Sequence, residues 1–181
     1  MDPLRIIRKY YHPETRAYYY LSHHSWMVGQ KSLVIGRRMG LSAAGLRFVE
    51  EAAMLHDIGI LVTNEPEIGC YGELHYACHG YAGREILEKE GLPDHALVSE
   101  RHIGTGISLT DIEERKLALP KRDMRPVSIE EKIICFADKF FSKSPEYLIK
   151  EKPLEMIREG IAWYGEEKLM QFDEWLELFG A

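Results

Sequence analysis

The chain has 181 residues, 45% hydrophobic and 29% charged, an ordinary make-up for one globular domain or one domain with a small appendage. It carries 23 Lys and Arg against 29 Asp and Glu, a formal net charge of −6, which argues against a nucleic-acid backbone as partner. A phosphate ester stays open, because bound metal ions can be the largest local charges in a site. No apolar stretch is long enough to span a membrane and the first residues hold no signal-peptide core. Three cysteines, Cys70, Cys78 and Cys135, show no Cys-x-x-Cys spacing and fit a reducing, cytoplasmic setting.

The periodicity is helical nearly everywhere. Leu21, Ser25, Val28, Ser32, Ile35 and Met39 recur at alternating four and three residues, which predicts a helix over about residues 13–39, ended by Gly40. His24, next to Leu21 and one turn before Val28, points inward; His23 is rotated from it by about 100°. A second helix is expected over about 43–57 with Ser42 as N-cap, placing Val49, Ala53 and His56 on one face. Gly59 then breaks it, so that His56 and Asp57 converge, as neighbours on a helix do not. Residues 61–74, with Pro66, Gly69 and Gly72, read as a loop and a flap over the site. A third helix covers about 75–90, stopped by Gly91, with His79, Gly83, Ile86 and Leu87 on one face; Gly83 would let another helix approach closely.

Pro93 opens a short fourth helix on which Val98 and His102 are one turn apart. Residues 109–127 are charged and read as a long loop with a short helical turn. Ser128-Ile129-Glu130-Glu131 is a capping box opening a helix with Ile133, Ile134, Ala137, Phe140 and Phe141 inside. Ser144-Pro145 is expected to start another short helix, and two more are expected over 153–163 and 166–179. No alternating strand stands out, so the expected class is all-α.

A lone inward histidine is more often a hydrogen-bonded core residue than a ligand. Here His24, His56, His79 and His102 each sit on or end an apolar helical face, and Asp138 lies between Phe136-Ala137 and Phe140-Phe141, where an unpaired carboxylate is costly to bury. With Asp57 they form a nitrogen and oxygen ligand set for divalent metals, too large for one ordinary ion. The reading is a two-metal hydrolase centre, its metal open between iron, manganese, zinc and nickel. His12 and His95 read as surface histidines.

At these residues the chain resembles the HD superfamily of metal-dependent phosphohydrolases. The resemblance is carried by His24-Ser25-Trp26-Met27-Val28, by Ala52-Ala53-Met54-Leu55-His56-Asp57-Ile58-Gly59, by His79 to Leu87, by Arg101-His102 and by Ile133 to Lys139, over about residues 18–145. It implies an HD-domain helical bundle over 1–150, with 151–181 a C-terminal helical appendage packed on the same domain. It implies one metal on His24, His56, Asp57 and Asp138, and a second on His79 and His102 with Asp57 bridging; its spacing favours His24 over His23 and His79 over His75. The implied substrate is a small phosphorylated metabolite, a nucleotide first of all. The layout and the Gly104-Thr105-Gly106 stretch resemble small bacterial HD hydrolases that split dinucleoside polyphosphates, and also an uncharacterised HD group with the same Ala137-Asp138-Lys139 ending. Ile60 stands where cyclic-dinucleotide phosphodiesterases usually carry Lys, which disfavours that substrate.

Two metals would clamp phosphoryl oxygens and lower the pKa of an attacking water. Cations would steady the transition-state charge, and Arg101 beside His102 and Lys139 beside Asp138 are the expected contributors, with surface salt bridges as their other reading. Asp57 is the carboxylate expected to be indispensable. Two other functions stand beside hydrolysis: a di-iron oxygenase of the same superfamily, and a non-catalytic nucleotide-binding HD module, against which the retained ligand set argues. Specificity is expected from residues 61–74 and 103–127. The aromatic C-terminal helices, with Trp163, Tyr164, Phe172, Trp175 and Phe179, are expected to pack on the bundle, a homodimer interface being the alternative.

Overall fold

Helix ends, more than helix bodies, decide this architecture. The computed structural model describes residues 1–180. Asp2 caps α1 (Pro3–Tyr10), its carboxylate accepting from the amides of Leu4 and Arg5, with Pro3 in the first turn. The helix is too short for periodicity to flag it. The Thr15 hydroxyl accepts from the Tyr18 amide and starts α2 (Arg16–Arg38), so the helix begins three residues later than expected. Ser42 caps α3 (Ala43–Leu55), and α2 and α3 lie along each other with Leu21, His24, Ser25, Val28, Ser32 and Ile35 of α2 buried.

After α3 the chain turns sharply. His56 is the helix C-cap and Asp57 leaves helical geometry at φ −100° and ψ 10°, leading into a 3₁₀ turn, Ile58–Val62. Gly59 does not break the helix, which ends at Leu55. Its role is close approach: a Cβ there would lie 2.0 Å from the His79 carbonyl oxygen and 2.4 Å from the Gly83 nitrogen. Gly83 in turn makes room for α5 (Pro93–Arg101), since a Cβ on it would lie 2.2 Å from Ser99 Oγ. The expected close approach at Gly83 is thus present.

The segment expected as a flap folds into a minimal hairpin, β1 (Asn64–Glu65) antiparallel to β2 (Cys70–Tyr71), a small departure from helix in an all-α chain. The third helix begins later than expected: residues 76–78 form a 3₁₀ turn capped by His75, and α4 runs over His79–Lys89. Within 103–127 lies α6 (Leu109–Glu114), and here Ser108 and Asp111 make a full reciprocal capping box. The box expected at α7 (Ile129–Asp138) is only half made. Ser128 accepts from the Glu131 amide, but the Glu131 carboxylate takes the Val127 amide at 2.8 Å and the Arg101 guanidinium instead. Ser144-Pro145 starts no helix, only a turn at 145–147. The chain closes with α8 (Leu154–Ala162) and α9 (Glu166–Phe179).

Phe136 of α7 is the hub of the main core. Its ring stacks on Phe172 at 5.2 Å and meets Phe140 and Phe179 at 5.1 and 5.4 Å, so α9 is held to the same core as α2, α3 and α7. Phe172, Trp175 and Phe179 are buried as expected of packing aromatics, whereas Trp163 is 86% exposed and Tyr164 57%. A second cluster gathers Ile7, Tyr11, Leu21, Leu55, Ile58 and Leu87 under the 3₁₀ turn, and the Tyr11 hydroxyl donates to the Ile58 carbonyl at 2.6 Å and accepts from the Leu61 amide at 2.8 Å. No helix among the described residues is long and apolar enough to cross a membrane.

Gly59→Ala should lose at least about 3 kcal/mol of stability, since the added methyl would meet backbone that cannot move aside. Gly160→Ala, with open space around its Cβ in α8, should be neutral or stabilise by about 0.5–1 kcal/mol. Thermal melts of the two variants check the pair, and a Gly59→Ala protein as stable as the parent would contradict the packing described.

Candidate metal centre

Asp57 is buried and its two oxygens face different partners. Oδ2 lies 3.1 Å from His24 Nε2 and 3.0 Å from His56 Nε2, while Oδ1 lies 3.1 Å from His79 Nε2 and 3.4 Å from His102 Nε2. Asp138 Oδ1 completes the first group at 2.9 Å from His24 Nε2 and 3.5 Å from His56 Nε2. The expected six residues therefore converge as two overlapping sets, His24, His56, Asp57 and Asp138, then Asp57, His79 and His102. Metal–ligand bonds of about 2.0–2.2 Å put adjacent ligand atoms roughly 3.0–3.5 Å apart, the spacing seen here.

Helix termini do the positioning. His56 and His102 cap the C-terminal ends of α3 and α5, Asp138 is the last residue of α7 and His79 the first of α4. At each of three ends an imidazole Nδ1–H donates to the carbonyl three residues back: His56 to Ala53 at 2.6 Å, His79 to Tyr76 at 2.5 Å, His102 to Ser99 at 2.7 Å. These carbonyls are the supports that fix ring orientation for metal ligands, and residue types alone do not name them. Ser99 adds a second tie, its hydroxyl donating to the His56 carbonyl at 2.6 Å.

With Nδ1 protonated, a neutral imidazole presents a lone pair at Nε2. The Nε2 atoms of His79 and His102 meet at 3.0 Å, both against Asp57 Oδ1. Lone pairs and carboxylate oxygens crowd into one buried space, and His24 Nδ1, His56 Nε2 and both Asp57 oxygens lack an aligned hydrogen-bond partner. The donor set fits divalent cations. Its charge distribution agrees. Burial disfavours ionising Asp57, but His56 and Lys143 outweigh it and hold the carboxyl well below its usual range. Burial likewise opposes the His56 imidazolium, but Asp57 and Asp138 lift its pKa to about 9, while burial pushes His102 down to about 4 against the pull of Asp57. Neighbouring imidazoles cannot all charge together.

The other expected residues divide. Lys139 reaches the site, its ammonium 2.7 Å from Asp138 Oδ2 and donating to the His102 carbonyl at 3.1 Å. Arg101 does not: its guanidinium is held by both Glu131 oxygens at 3.0 and 3.1 Å, because the residue before His102 on a helix points about 100° away from it. Lys143, which no sequence pattern singles out, pairs with Asp57 Oδ2 and donates to the Tyr76 hydroxyl at 2.9 Å. It lies beyond the end of α7, where helical phase no longer predicts direction. His23 is exposed and donates to the Tyr19 carbonyl, and His75 is exposed at the cap described above. His12 is exposed as expected, but His95 is half-buried, its ring 4.9 Å from Phe48 and its Nε2 3.5 Å from Glu51.

His24, Asp57, His79, His102 and Asp138 form the floor of a cavity of about 620 Å³, with His56 buried behind them. Of the two segments expected to shape it, 103–127 contributes residues 103–107, Asp111 of α6, Arg115 and Leu117, and 61–74 contributes nothing. The remaining wall is the turn at 75–77, the segment that follows α7 with Lys143 and Lys152, α8 with Ile157 and Ile161, and Lys168 at the start of α9.

The HD domain family model matches residues 21–142. A tRNA (cytidine(56)-2'-O)-methyltransferase of Picrophilus torridus is 41% identical over 97 residues, 53% of this chain and 25% of that protein. An uncharacterised protein of Methanocaldococcus jannaschii is 39% identical over 94 residues, 51% of this chain and 48% of that one. A tRNA (cytidine(56)-2'-O)-methyltransferase of Thermoplasma volcanium is 32% identical over 124 residues, 68% of this chain and 32% of that protein. The chain thus spans between a quarter and about half of these relatives' lengths, and no solved structure matches it. The family match takes in every residue of the two ligand groups, from His24 to Asp138, and the chain belongs to the HD domain family.

Proposed function

We propose that this chain is a metal-dependent phosphohydrolase that cleaves a phosphoester or phosphoanhydride in a nucleotide or another small phosphorylated metabolite. The observation that carries the reading is Asp57, one buried carboxylate dividing its oxygens between two imidazole pairs on the floor of a cavity that also holds lysines. In this reading His24, His56, Asp57 and Asp138 hold one divalent ion and Asp57, His79 and His102 the other, and these donors suit iron, manganese, zinc and nickel alike. Such ions, when bound, polarise phosphoryl oxygens and make water a nucleophile near neutral pH.

The chain's own residues supply position and charge. The carbonyls of Ala53, Tyr76 and Ser99 hold three imidazoles in one tautomer with Nε2 toward the centre. Lys139 and Lys143, already beside Asp138 and Asp57, are placed to meet negative charge growing on the equatorial phosphoryl oxygens. Arg101, paired with Glu131, has no part in this reading. The cavity is of the size that small-molecule sites occupy. The three cysteines are free and buried, which suits the reducing cytoplasm in which we place the protein.

A second reading comes from the two methyltransferase relatives, in which the matched segment is 25% and 32% of the protein. The chain would then be an HD module serving RNA modification. Its net charge of −6 weighs against direct tRNA contact. A gel-shift with unmodified tRNA tests it: a shifted band would favour this reading over the first, which expects no binding.

Purified protein should contain divalent metal by elemental analysis and turn over p-nitrophenyl phosphate or a member of a nucleotide panel. Asp57→Ala should lower kcat/KM by about a thousandfold or more while keeping the helical circular-dichroism spectrum. Undiminished turnover in that variant would sink the assignment.

A pH series under chelator tests the centre separately. The His56 pKa of about 9 exceeds the unfolded value of 6.5, so its contribution is full below pH 6.5 and is lost as pH rises to 9. His102, depressed to about 4, contributes oppositely and loses stability as pH falls from 6.5 to 4. Metal-stripped protein should therefore be most stable near pH 6.5. An ion replaces the His56 proton, so the gain in Tm on adding metal should grow from pH 6.5 to 9. A gain that stays flat across that window would contradict the site.

A further inference from the structure

Lys152 stands on the cavity wall with Asp138, Lys139 and Lys143. Its backbone amide donates to the Phe140 carbonyl at 2.7 Å, which ties it to the segment leaving α7, and Pro153 comes next as the N-cap of α8. The neighbouring ammoniums each have a carboxylate: Lys139 has Asp138, Lys143 has Asp57, and Lys168 farther along the wall has Asp111 at 2.6 Å. Lys152 is half-buried and has neither an ion-pair partner nor a side-chain hydrogen bond among the described residues. That arrangement is unfavourable for an ammonium. Burial, together with the fields of Lys139 and Lys143, holds its pKa below the ordinary lysine value, although Asp138 pulls the other way.

The charge of the whole cavity points in the same direction. Lys139, Lys143, Lys152, Lys168 and Arg115 line it against only Asp57, Asp111 and Asp138. Divalent ions at the centre would engage Asp57 and Asp138 and leave Lys139 and Lys143 to a scissile phosphoryl group. One phosphoryl group answers those two lysines and leaves Lys152 without an anion. We infer that Lys152 binds a second anionic group of the substrate, a phosphoryl or carboxylate separate from the one at the metal centre. This rests on the function proposed above for what occupies the centre. Lys152 is then a specificity-determining residue, and the preferred substrate is a small molecule with anions at two positions.

The test uses metal-loaded full-length protein and three probes with no ester bond to cleave: methylphosphonate, phosphonoacetate and methylenediphosphonate. By calorimetry the wild type should bind at least one two-anion probe about tenfold or more tighter than methylphosphonate. Lys152→Gln should lose that preference and keep its methylphosphonate affinity, and Lys152→Arg should restore most of it. Preference for phosphonoacetate identifies the second group as a carboxylate, preference for methylenediphosphonate as a phosphoryl. Ion chelation by the diphosphonate is common to wild type and variants, so it cancels in the comparison, and melts check that the variants fold. Wild type and Lys152→Gln with the same preferences would overturn the inference while leaving hydrolysis intact. Two-anion binding lost in Lys152→Gln by a protein that hydrolyses nothing would support the anion site and overturn the proposed function instead.

Discussion

Burying Asp57 creates the problem that the rest of this structure solves. A carboxylate with 1% exposure, facing four imidazoles and touching Lys143 on one oxygen, is tolerable only where positive charge meets it on both sides. Three of those imidazoles have spent their Nδ1–H on helix carbonyls, so in its neutral form each turns a lone pair toward Asp57. Neutral imidazoles and a carboxylate repel at these distances. A proton, held at His56, or a lysine can relieve this in part. Divalent cations relieve it on both oxygens at once, which is why the geometry reads as a metal centre and not as a buried polar network.

The same logic explains why the ligands occupy helix ends. The last carbonyls of a helix lack intrahelical donors and carry the negative end of its dipole. At α3 and α5 a C-cap imidazole satisfies one such carbonyl and, in doing so, aims its other nitrogen inward. Asp138 ends α7 at the same point, so three C-terminal ends converge with two carboxylates. The bundle gathers negative potential at one place, and the absence of a Cβ on Gly59 and Gly83 lets the 3₁₀ turn, α4 and α5 come close enough to do so.

This also sets what the sequence could disclose. His24, Val28 and Ile35 lie in phase on a long helix, and phase alone turns His24 inward. His56, Asp57, His79, His102 and Asp138 are polar residues where apolar faces end, which periodicity also marks. Features that depend on the chain beyond a helix end were not legible. Lys143 and Lys152 lie in irregular backbone between α7 and α8, and nothing in local pattern says which way such residues point. Arg101 misled for the opposite reason: adjacency to a ligand on a helix means divergence from it, and Glu131, the expected capping-box residue, was free to hold it. The hairpin at 64–71 failed as a flap because its sheet and Gly72 press it against Val62, away from the cavity.

The family match and the cavity wall do not coincide, and that difference is informative. The match ends at residue 142. Lys143, Lys152, α8 and Lys168 all lie beyond it, and all line the cavity. Both ligand groups therefore lie within the matched residues, while one side of the cavity belongs to the C-terminal stretch. Phe172 and Phe179 of α9 pack on Phe136, which shares α7 with Asp138, so this wall is coupled to the metal-type floor through one aromatic core. A chain that kept residues 21–142 but carried a different C-terminal stretch would keep the centre and face it with a different wall. Family membership, on this structure, covers the floor and the side of the cavity built by residues 103–117, and the C-terminal stretch supplies the side that carries Lys152, Ile157, Ile161 and Lys168.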